Sequence, residues 1–207
     1  MSETLTPPTA TETPRLTQQV LENRFVRLEP LTEAHRTDLQ TACWADPDLW
    51  TRLYSFSMLP DRFDATWGML VGGQLVPPSQ TYAVMRGGRC VGMTSFIGID
   101  ARNRTVEIGG TYYAPEFRGG AVNPAAKRLM LGHAFAAGMN RVQLCVDALN
   151  ARSRAAVLKL GAVHEGILRA QKITWTGRRR DTVVFSVLAD EWPAVRDRLD
   201  ARLAAFT

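Results

Sequence analysis

The sequence has little of what disulfide-linked, metal-binding and membrane-spanning proteins need. Its 207 residues include three cysteines and three histidines, which are scattered and form no pair with zinc-ligand spacing. No apolar run approaches the roughly 20 residues that cross a bilayer. The N-terminus, MSETLTPPTATETPRL, lacks the apolar core of a secretory signal. We therefore expect a cytoplasmic protein that holds no metal and does not enter a membrane.

Nucleotide-binding and RNA-binding signatures are absent as well. The chain has no glycine-rich loop ending in Gly-Lys-Ser/Thr and no Gly-x-Gly-x-x-Gly, which argues against a P-loop or a Rossmann domain. It also lacks the interleaved aromatic and basic motif of RNA-recognition domains. Its net charge of +5 suits nucleic acid, a membrane surface or a phosphate-bearing small molecule, so charge alone selects no partner.

One compact domain accounts for most of the chain. Residues 1–19 are rich in Thr and Pro and poor in large apolar residues, which predicts a disordered tail, and residues 20–207 are expected to form a single domain. The periodicities give the order strand, helices, three strands, helix, strand, helix, two strands and helix. This order predicts an α/β fold with a largely antiparallel sheet, flanked by helices, and one parallel strand-helix-strand crossover.

Glycine, proline and asparagine mark where these elements begin and end. Gly87-Gly88 predicts a tight hairpin between two strands. A helix from Pro124 to about Ala137 is expected to start with Asn123 as its cap. A later helix is expected to start at the cap Asn150 and to end at Gly161 in a left-handed conformation.

The stretch FRGGAVNPAAKRLM, residues 117–130, places two glycines directly before a helix. The free N–H groups and the dipole of a helix start favour an anion, and glycines let those groups converge on a phosphate without a Cβ in the way. Arg118 adds a positive charge at the entrance. The stretch therefore predicts a phosphate-binding loop, with an ordinary tight strand-to-helix turn as the alternative.

Three stretches carry a resemblance to a known family: VEIGGTYYAPEFRGGAVNPAAKRLML, NARSRAAVLKLGAVHEGILR and GRRRDTVVFSVLADEW. Over about residues 20–200 the chain resembles the GNAT superfamily of acyl-CoA-dependent N-acyltransferases, in particular its RimJ/RimL-like branch. The resemblance implies a GNAT-like mixed sheet and an acetyl-CoA-dependent N-acetyltransferase acting on a primary amine, with a protein N-terminal amine as one candidate acceptor. It implies acetyl-CoA as the acyl donor, and no metal.

The loop departs from the family's pattern. That pattern runs Arg or Gln, two residues, Gly, one residue, then Gly or Ala, whereas this chain has Ala121 and Asn123 at the two later positions. Ala121 suits the loop only if its φ angle is negative. By resemblance, main-chain N–H groups bind the pyrophosphate of the donor with help from the arginine, which implies Arg118, Gly119, Gly120, Ala121, Val122 and Asn123.

Glu107 is the candidate general base for the acceptor amine. It lies in TVEIGG, where Val106 and Ile108 point to one face of a strand and Glu107 to the other. An amine is mostly protonated at pH 7, so a base must take its proton before the amine attacks a thioester. By resemblance this position faces the acceptor cleft. A solvated or salt-bridged strand glutamate is the alternative.

Ser153 is the candidate that protonates or hydrogen-bonds the leaving thiolate. It follows Asn150 by three residues, and the RimJ/RimL-like branch has a similar Asn-x-x-Ser at the start of this helix. By resemblance, Asn150 binds the pantetheine arm through its side-chain amide. A helix cap at Asn150 with a serine in the first turn explains the same pair without a catalytic role.

Other basic residues have two interpretations each. The turn GRRRD, residues 177–181, either attracts an acidic peptide or RNA or is an exposed hairpin tip. Five cations on two helices either bind the 3′-phosphate of the donor or form solvated helix faces. These five are Lys127, Arg128, Arg152, Arg154 and Lys159.

Functions from two other classes stay open beside the enzyme. A non-catalytic acyl-CoA-binding module is disfavoured by Glu107 and Ser153, and an RNA-binding protein is favoured only by the net charge and by GRRRD. Within the enzyme class, a small-molecule amine or a longer acyl donor remains an alternative. The expected partners are acetyl-CoA and an amine acceptor, in a monomer or a homodimer, without nucleic acid or membrane.

Overall fold

The computed structural model describes residues 14–206, which form one eight-stranded sheet with helices on both faces. The strands are β1 (Leu21–Glu22), β2 (Arg27–Pro30), β3 (Gln80–Arg86), β4 (Arg89–Asp100), β5 (Thr105–Tyr113), β6 (Arg141–Asp147), β7 (Val163–Ile173) and β8 (Arg179–Leu188). They lie in the order β1-β2-β3-β4-β5-β6-β8-β7. Neighbouring strands are antiparallel except β5 and β6, which run parallel.

Six α-helices flank the sheet within residues 14–206, and none of them is long and apolar enough to cross a membrane. They are α1 (Arg36–Trp44), α2 (Pro47–Leu53), α3 (Phe63–Val71), α4 (Val122–Ala136), α5 (Ala151–Leu160) and α6 (Trp192–Ala204). Short 3-10 turns lie at Glu33–His35 and Pro115–Phe117.

The predicted α/β fold is confirmed, with β5, α4 and β6 as its parallel crossover. The local signals act as expected. Gly87 and Gly88 turn the β3–β4 hairpin with φ of +57° and +77°, which side chains with a Cβ avoid. Asn150 caps α5 by accepting the N–H of Ser153 at 3.0 Å, and Gly161 ends that helix at φ +100°.

The two faces of the sheet bury separate cores. On one face lies the larger core, in which strand residues such as Val142 and Phe185 pack with apolar residues of α4, α5 and α6. On the other face, α1, α2 and α3 cover the β2–β5 half with a second cluster that contains Trp50, Trp67 and Tyr112. These three aromatic residues fill the space between the helices and the sheet, so they are core residues.

The sheet opens between its two parallel strands. β5 and β6 pair from Thr105 with Arg141 to Glu107 with Gln143. Beyond that point β5 contains a bulge at Gly110, whose φ is +58°, and the β4–β5 register shifts there. A bulge bends its strand, so β5 leaves the ladder while β6 continues to Asp147. Both strands therefore present unpaired main-chain groups to the space between them.

Residues 14–19 run along the domain without helix or strand. Leu16 is buried in the larger core, and the side-chain amides of Gln18 and Gln80 donate to the carbonyls of Thr81 and Leu16 at 2.8 Å each. The predicted disordered tail covers residues 1–19, of which 1–13 lie outside the described residues. The remaining part, residues 14–19, lies against the domain with Leu16 buried.

Candidate active site

The opening between β5 and β6 is the floor of a cleft of about 430 Å³. This volume falls within the range of about 300–1,000 Å³ that is typical of small-molecule sites. Residues of both strands line it, together with the loop before α4, the first turns of α5 and the segment around Tyr54. The cleft therefore brings the predicted phosphate loop and the predicted catalytic residues to one place.

The glycine loop has the backbone geometry that an anion site needs. Gly119 takes φ +81°, and a Cβ built on Gly119 or Gly120 would meet no atom within 4 Å, so the space in front of both glycines is free. Ala121 has φ −71° and ψ −22°, which alanine adopts without strain. The departure from the family's pattern at position 121 is thus accommodated, because Gly119 supplies the left-handed residue two positions earlier.

Helix α4 begins two residues earlier than the sequence predicted. Its N-cap is Ala121, whose carbonyl accepts the N–H of Ala125 at 2.9 Å, and no side chain caps it. The prediction that Asn123 is the cap is wrong, because the chain is already helical at Val122. The N–H groups of Val122 and Asn123 therefore lie in the first turn, where a helix provides no acceptor, and remain available to a ligand.

The predicted donor residues divide into two groups. Arg118, Gly119, Gly120, Asn123 and Asn150 line the cleft. The side chains of the other two, Ala121 and Val122, are buried in the larger core. Those two residues can contribute only main-chain groups, which is the contribution that the resemblance implied.

Arg118 is tied to the protein by its own contacts. Its Nη2 forms an ion pair with Asp46, and its Nε donates to the carbonyl of Tyr113 at 2.7 Å. Its guanidinium carbon lies 5.4 Å from the ring centroid of Tyr112. Because Asp46 already offsets its charge, Arg118 fixes the path of the loop in addition to lining the cleft. Asp46, in the turn between α1 and α2, carries no sequence signal of this contact.

Glu107 lies where β5 leaves β6, with its side chain on the face opposite the larger core. It lines the cleft, and a Cβ on the neighbouring Gly109 would come within 2.8 Å of its Oε1, so glycine leaves the carboxylate room. Burial raises the pKa of Glu107 above its usual value, against the opposing effects of Lys172, Cys145 and Arg180. A carboxylate with a raised pKa is a stronger base near neutral pH.

Cys145 lies beside Glu107 in the cleft, which the sequence did not predict. Burial, followed by the charge of Glu107, raises the pKa of the Cys145 thiol to about 12. The thiol therefore stays protonated at neutral pH, and since the thiolate is the reactive form, Cys145 is a poor nucleophile. A direct transfer without a cysteinyl intermediate is consistent with this environment.

Ser153 and Asn150 both line the cleft at the start of α5. The Oδ1 of Asn150 is used by the cap that it forms with the Ser153 N–H. The predicted cap at Asn150 is thus confirmed, and it uses neither the Asn150 amide nitrogen nor the Ser153 hydroxyl. Capping and binding are compatible, because they use different atoms of the two residues.

Lys127 lies in an environment that the sequence did not predict. It is 5% exposed, lines the cleft, and its Nζ donates to Thr111 Oγ1 at 2.8 Å and to Thr94 Oγ1 at 3.3 Å. Burial lowers its pKa to about 7. The sequence did contain a signal of this burial. Lys127 precedes the buried Met130, Leu131 and Ala134 by three, four and seven residues, and this helical spacing places it on the apolar face of α4.

The remaining cations have varied environments. Arg152 and Lys159 line the cleft, whereas Arg128 donates from Nε to Asp200 at 2.8 Å on α6. In the GRRRD turn, Arg178 and Arg180 both reach Asp147 at the end of β6, so this turn is more than an exposed tip. No group of three or more His, Cys, Asp or Glu side chains within residues 14–206 is arranged to hold a metal ion.

Known proteins have sequences similar to this one. The family described as "Acetyltransferase (GNAT) domain" matches residues 26–163, which is more than half of the chain. The "Putative ribosomal N-acetyltransferase YdaF" of Bacillus subtilis (strain 168) is 36% identical over 106 residues. That alignment covers 51% of this chain and 57% of the relative, so the chain spans little more than half the length of that protein.

Solved structures agree over nearly the whole domain. A putative acetyltransferase from T. thermophilus is 38% identical, with a TM-score of 0.81 over 89% of this chain and 97% of that one. Mycobacterium smegmatis RimJ, solved in complex with CoA-disulfide, shares the fold with a TM-score of 0.78 at 21% identity, over 90% of this chain and 95% of that one. The predicted resemblance is confirmed, and the chain belongs to the GNAT family of N-acetyltransferases.

Proposed function

We propose that the protein is an acetyl-CoA-dependent enzyme of the cytoplasm that transfers an acetyl group to a primary amine, with a protein N-terminal amine as the leading acceptor. The observation that carries this proposal is the cleft itself. At the point where β5 leaves β6, one cavity contains the glycine loop, the Ser153 hydroxyl and the carboxylate of Glu107.

The donor end of the cleft suits the phosphates of acetyl-CoA. The free space in front of Gly119 and Gly120 allows a phosphate to approach the main chain closely. Next to it are the unpaired N–H groups of the first turn of α4, which together with the helix dipole favour an anion. The unpaired edges of β5 and β6 add main-chain donors and acceptors for the amide groups of the pantetheine arm.

Two side chains of the protein act in the acetyl transfer. Acetyl-CoA supplies a thioester whose carbonyl carbon accepts the amine and whose thiolate leaves. Glu107 takes the proton of the acceptor amine, and its raised pKa makes it a stronger base for this step. Ser153 donates a hydrogen bond to the departing sulfur from the first turn of α5, where the Asn150 cap holds the helix start in place.

The acceptor is supported by similarity rather than by a bound ligand. The relative YdaF is named a ribosomal N-acetyltransferase, and a protein N-terminus presents the primary amine that this chemistry needs. At the proposed acceptor end, the cleft is lined by the segment around Tyr54, by Lys172 of β7 and by Arg180 of β8. A small-molecule amine is the alternative acceptor.

The experiment is an acetylation assay with the purified protein, acetyl-CoA and two acceptor panels, one of peptides with free N-termini and one of small amines. Free CoA and the acetylated amine are both quantified. We expect the two products in equal amounts with at least one peptide. Turnover of small amines alone would move the assignment to the alternative acceptor. Acetyl-CoA binding without turnover on either panel would identify a non-catalytic acyl-CoA-binding module.

A further inference from the structure

Two cations lie opposite each other at the acceptor end of the cleft. Lys172 on β7 and Arg180 on β8 are register partners in the antiparallel ladder, and both line the cleft. Partners directly opposite each other share a face of the sheet, and like charges in that position repel. The pair is therefore costly unless negative charge is close to both side chains.

These cations lie on the same face of the sheet as Glu107. On β8, Val183, Phe185 and Val187 belong to the larger core, so the alternate residues, including Arg180, point to the other face. Along β6 the same alternation places Cys145 and Asp147 with Arg180. Glu107 pairs with Gln143, which belongs to that set. The loop that suits phosphates leads into α4 on the opposite face, so a donor phosphate there leaves this pair unneutralised.

The protein's own carboxylates satisfy the pair only in part. Asp147 is 2.5 Å from Nη2 of Arg178, which leaves it 3.7 Å from Nε of Arg180. Arg180 is 8% exposed, and within residues 14–206 its Nε has no hydrogen-bond partner. An unpaired donor on a buried guanidinium is expensive. Glu107 interacts electrostatically with both Lys172 and Arg180, and under the proposed function its negative charge is lost when it takes the proton of the acceptor amine.

We propose that the preferred acceptor carries a carboxylate close to its reacting amine, and that Lys172 and Arg180 bind this carboxylate while Glu107 takes the proton from the amine. The assignment rests on the proposed function of the cleft. The carboxylate has two possible sources, an acidic side chain near the N-terminus of a peptide or the α-carboxylate of a free amino acid. In either case it adds negative charge beside two cations that Asp147 and Glu107 offset only in part.

The test measures kcat/KM for two matched acceptor pairs. One pair is a peptide with Glu at its second position and the same peptide with Gln. The other is free alanine and alaninamide. The wild-type enzyme should prefer the carboxylate member of one pair by about tenfold or more, since charge-assisted hydrogen bonds are about twice as strong as neutral ones. The pair that shows the preference identifies the source of the carboxylate.

Three variants assign the preference to the pair. Lys172→Met should raise KM for the carboxylate acceptor, so that its kcat/KM no longer exceeds that of the neutral acceptor, while the affinity for acetyl-CoA stays unchanged. Lys172→Glu should reverse the preference, so that the neutral amide becomes the better acceptor. Arg179→Met, at an exposed position one residue from Arg180, is the matched control and should keep the wild-type preference. Lys172 is only partly buried, so these changes avoid the folding risk at Arg180.

Equal kcat/KM for both members of both pairs would overturn the proposal, and so would a preference that survives Lys172→Met. Either result leaves the proposed function standing, because neutral acceptors are still turned over. Failure of the proposed function is distinct, since it appears as no acetylation of any acceptor, including Gln peptides and alaninamide.

Discussion

The two ends of the cleft are built from different parts of the chain. At the proposed donor end, the groups assigned to the ligand are main-chain groups of consecutive residues, Gly119 to Asn123, on one loop and one helix start. At the proposed acceptor end, the groups that line the cleft are side chains from four strands, Glu107, Cys145, Lys172 and Arg180. Main-chain N–H donors are kept when side chains are substituted, whereas a single substitution can change the specificity of a site that is formed by side chains.

The electrostatics differ in the same way. At the donor end, the charge of Arg118 is paired with Asp46, and attraction for an anion comes from N–H groups and the helix dipole, which do not titrate. At the acceptor end, burial shifts the pKa of Glu107 upwards beside Lys172 and Arg180. We therefore expect donor binding to be insensitive to pH near neutrality and turnover to be sensitive to it.

The largest effect should come from Glu107→Gln. Removal of the base should lower kcat by about a hundredfold or more, as is typical for general bases. A general base works in its deprotonated form. Wild-type turnover should therefore rise with pH through the raised pKa of Glu107, and this rise should be absent in the variant. Acetyl-CoA affinity should be unchanged. Initial rates across a pH series measure both effects, and unchanged turnover would remove Glu107 from its role.

The donor end is tested by Gly119→Ala. At φ +81° a Cβ costs about 1 kcal/mol, and the methyl group would occupy the free space of the loop, so acetyl-CoA affinity should fall about tenfold. Gly87→Ala is the matched control. Gly87 also has a positive φ, and a Cβ built on it would meet no atom within 4 Å, but it lies at the tip of the β3–β4 hairpin, outside the cleft. Both variants should lose similar stability. Equal acetyl-CoA affinity in the two would contradict the loop's role.

Ser153→Ala should have a smaller effect, on turnover alone. Loss of one hydrogen bond to the leaving sulfur should lower kcat about fivefold. Acetyl-CoA affinity and stability should hold, because the Asn150 cap uses the main-chain N–H of residue 153, which alanine keeps. Asn150→Ala provides the contrast, since it removes the cap and should cost about 1 kcal/mol of stability. Full turnover in Ser153→Ala would show that the serine is only a first-turn residue.

The smallest effect concerns stability at Lys127, between the two ends. The ordinary pKa of a lysine is 10.5, whereas burial lowers that of Lys127 in the folded chain to about 7. Between these values folding releases a proton, so rising pH should stabilise the folded chain by about 1.4 kcal/mol per pH unit. Urea unfolding at several pH values should show this slope in wild type and in Lys159→Met, at an exposed position, but not in Lys127→Met. Identical slopes in all three would contradict the buried, neutral lysine.

The same contrast explains what could be predicted from the sequence. The donor loop is contiguous, so its glycines, its arginine and the following helix were visible in FRGGAVNPAAKRLM. The caps at Asn150 and Gly161 were predictable because their contacts are local. The start of α4 was misplaced by two residues, because Ala121 has no capping side chain to mark it.

The acceptor end could not be predicted, because it depends on contacts between distant parts of the chain. The pairing of Lys172 with Arg180 follows from a strand register that includes bulges in β7, which no local pattern sets. The ion pair of Arg118 with Asp46 joins the loop to the α1–α2 turn. Lys127 was expected either at the 3′-phosphate of the donor or on a solvated helix face, and its burial follows from the side of α4 that packs on the sheet.

The most direct test of the division between the two ends is a calorimetric titration of acetyl-CoA into wild type and Glu107→Gln, followed by a turnover assay of the same samples. We predict saturable one-to-one binding with equal affinity in both proteins, and acetylation by the wild type alone. No binding to the wild type would contradict the donor loop. Binding that is lost in Glu107→Gln would show that the two ends do not act separately.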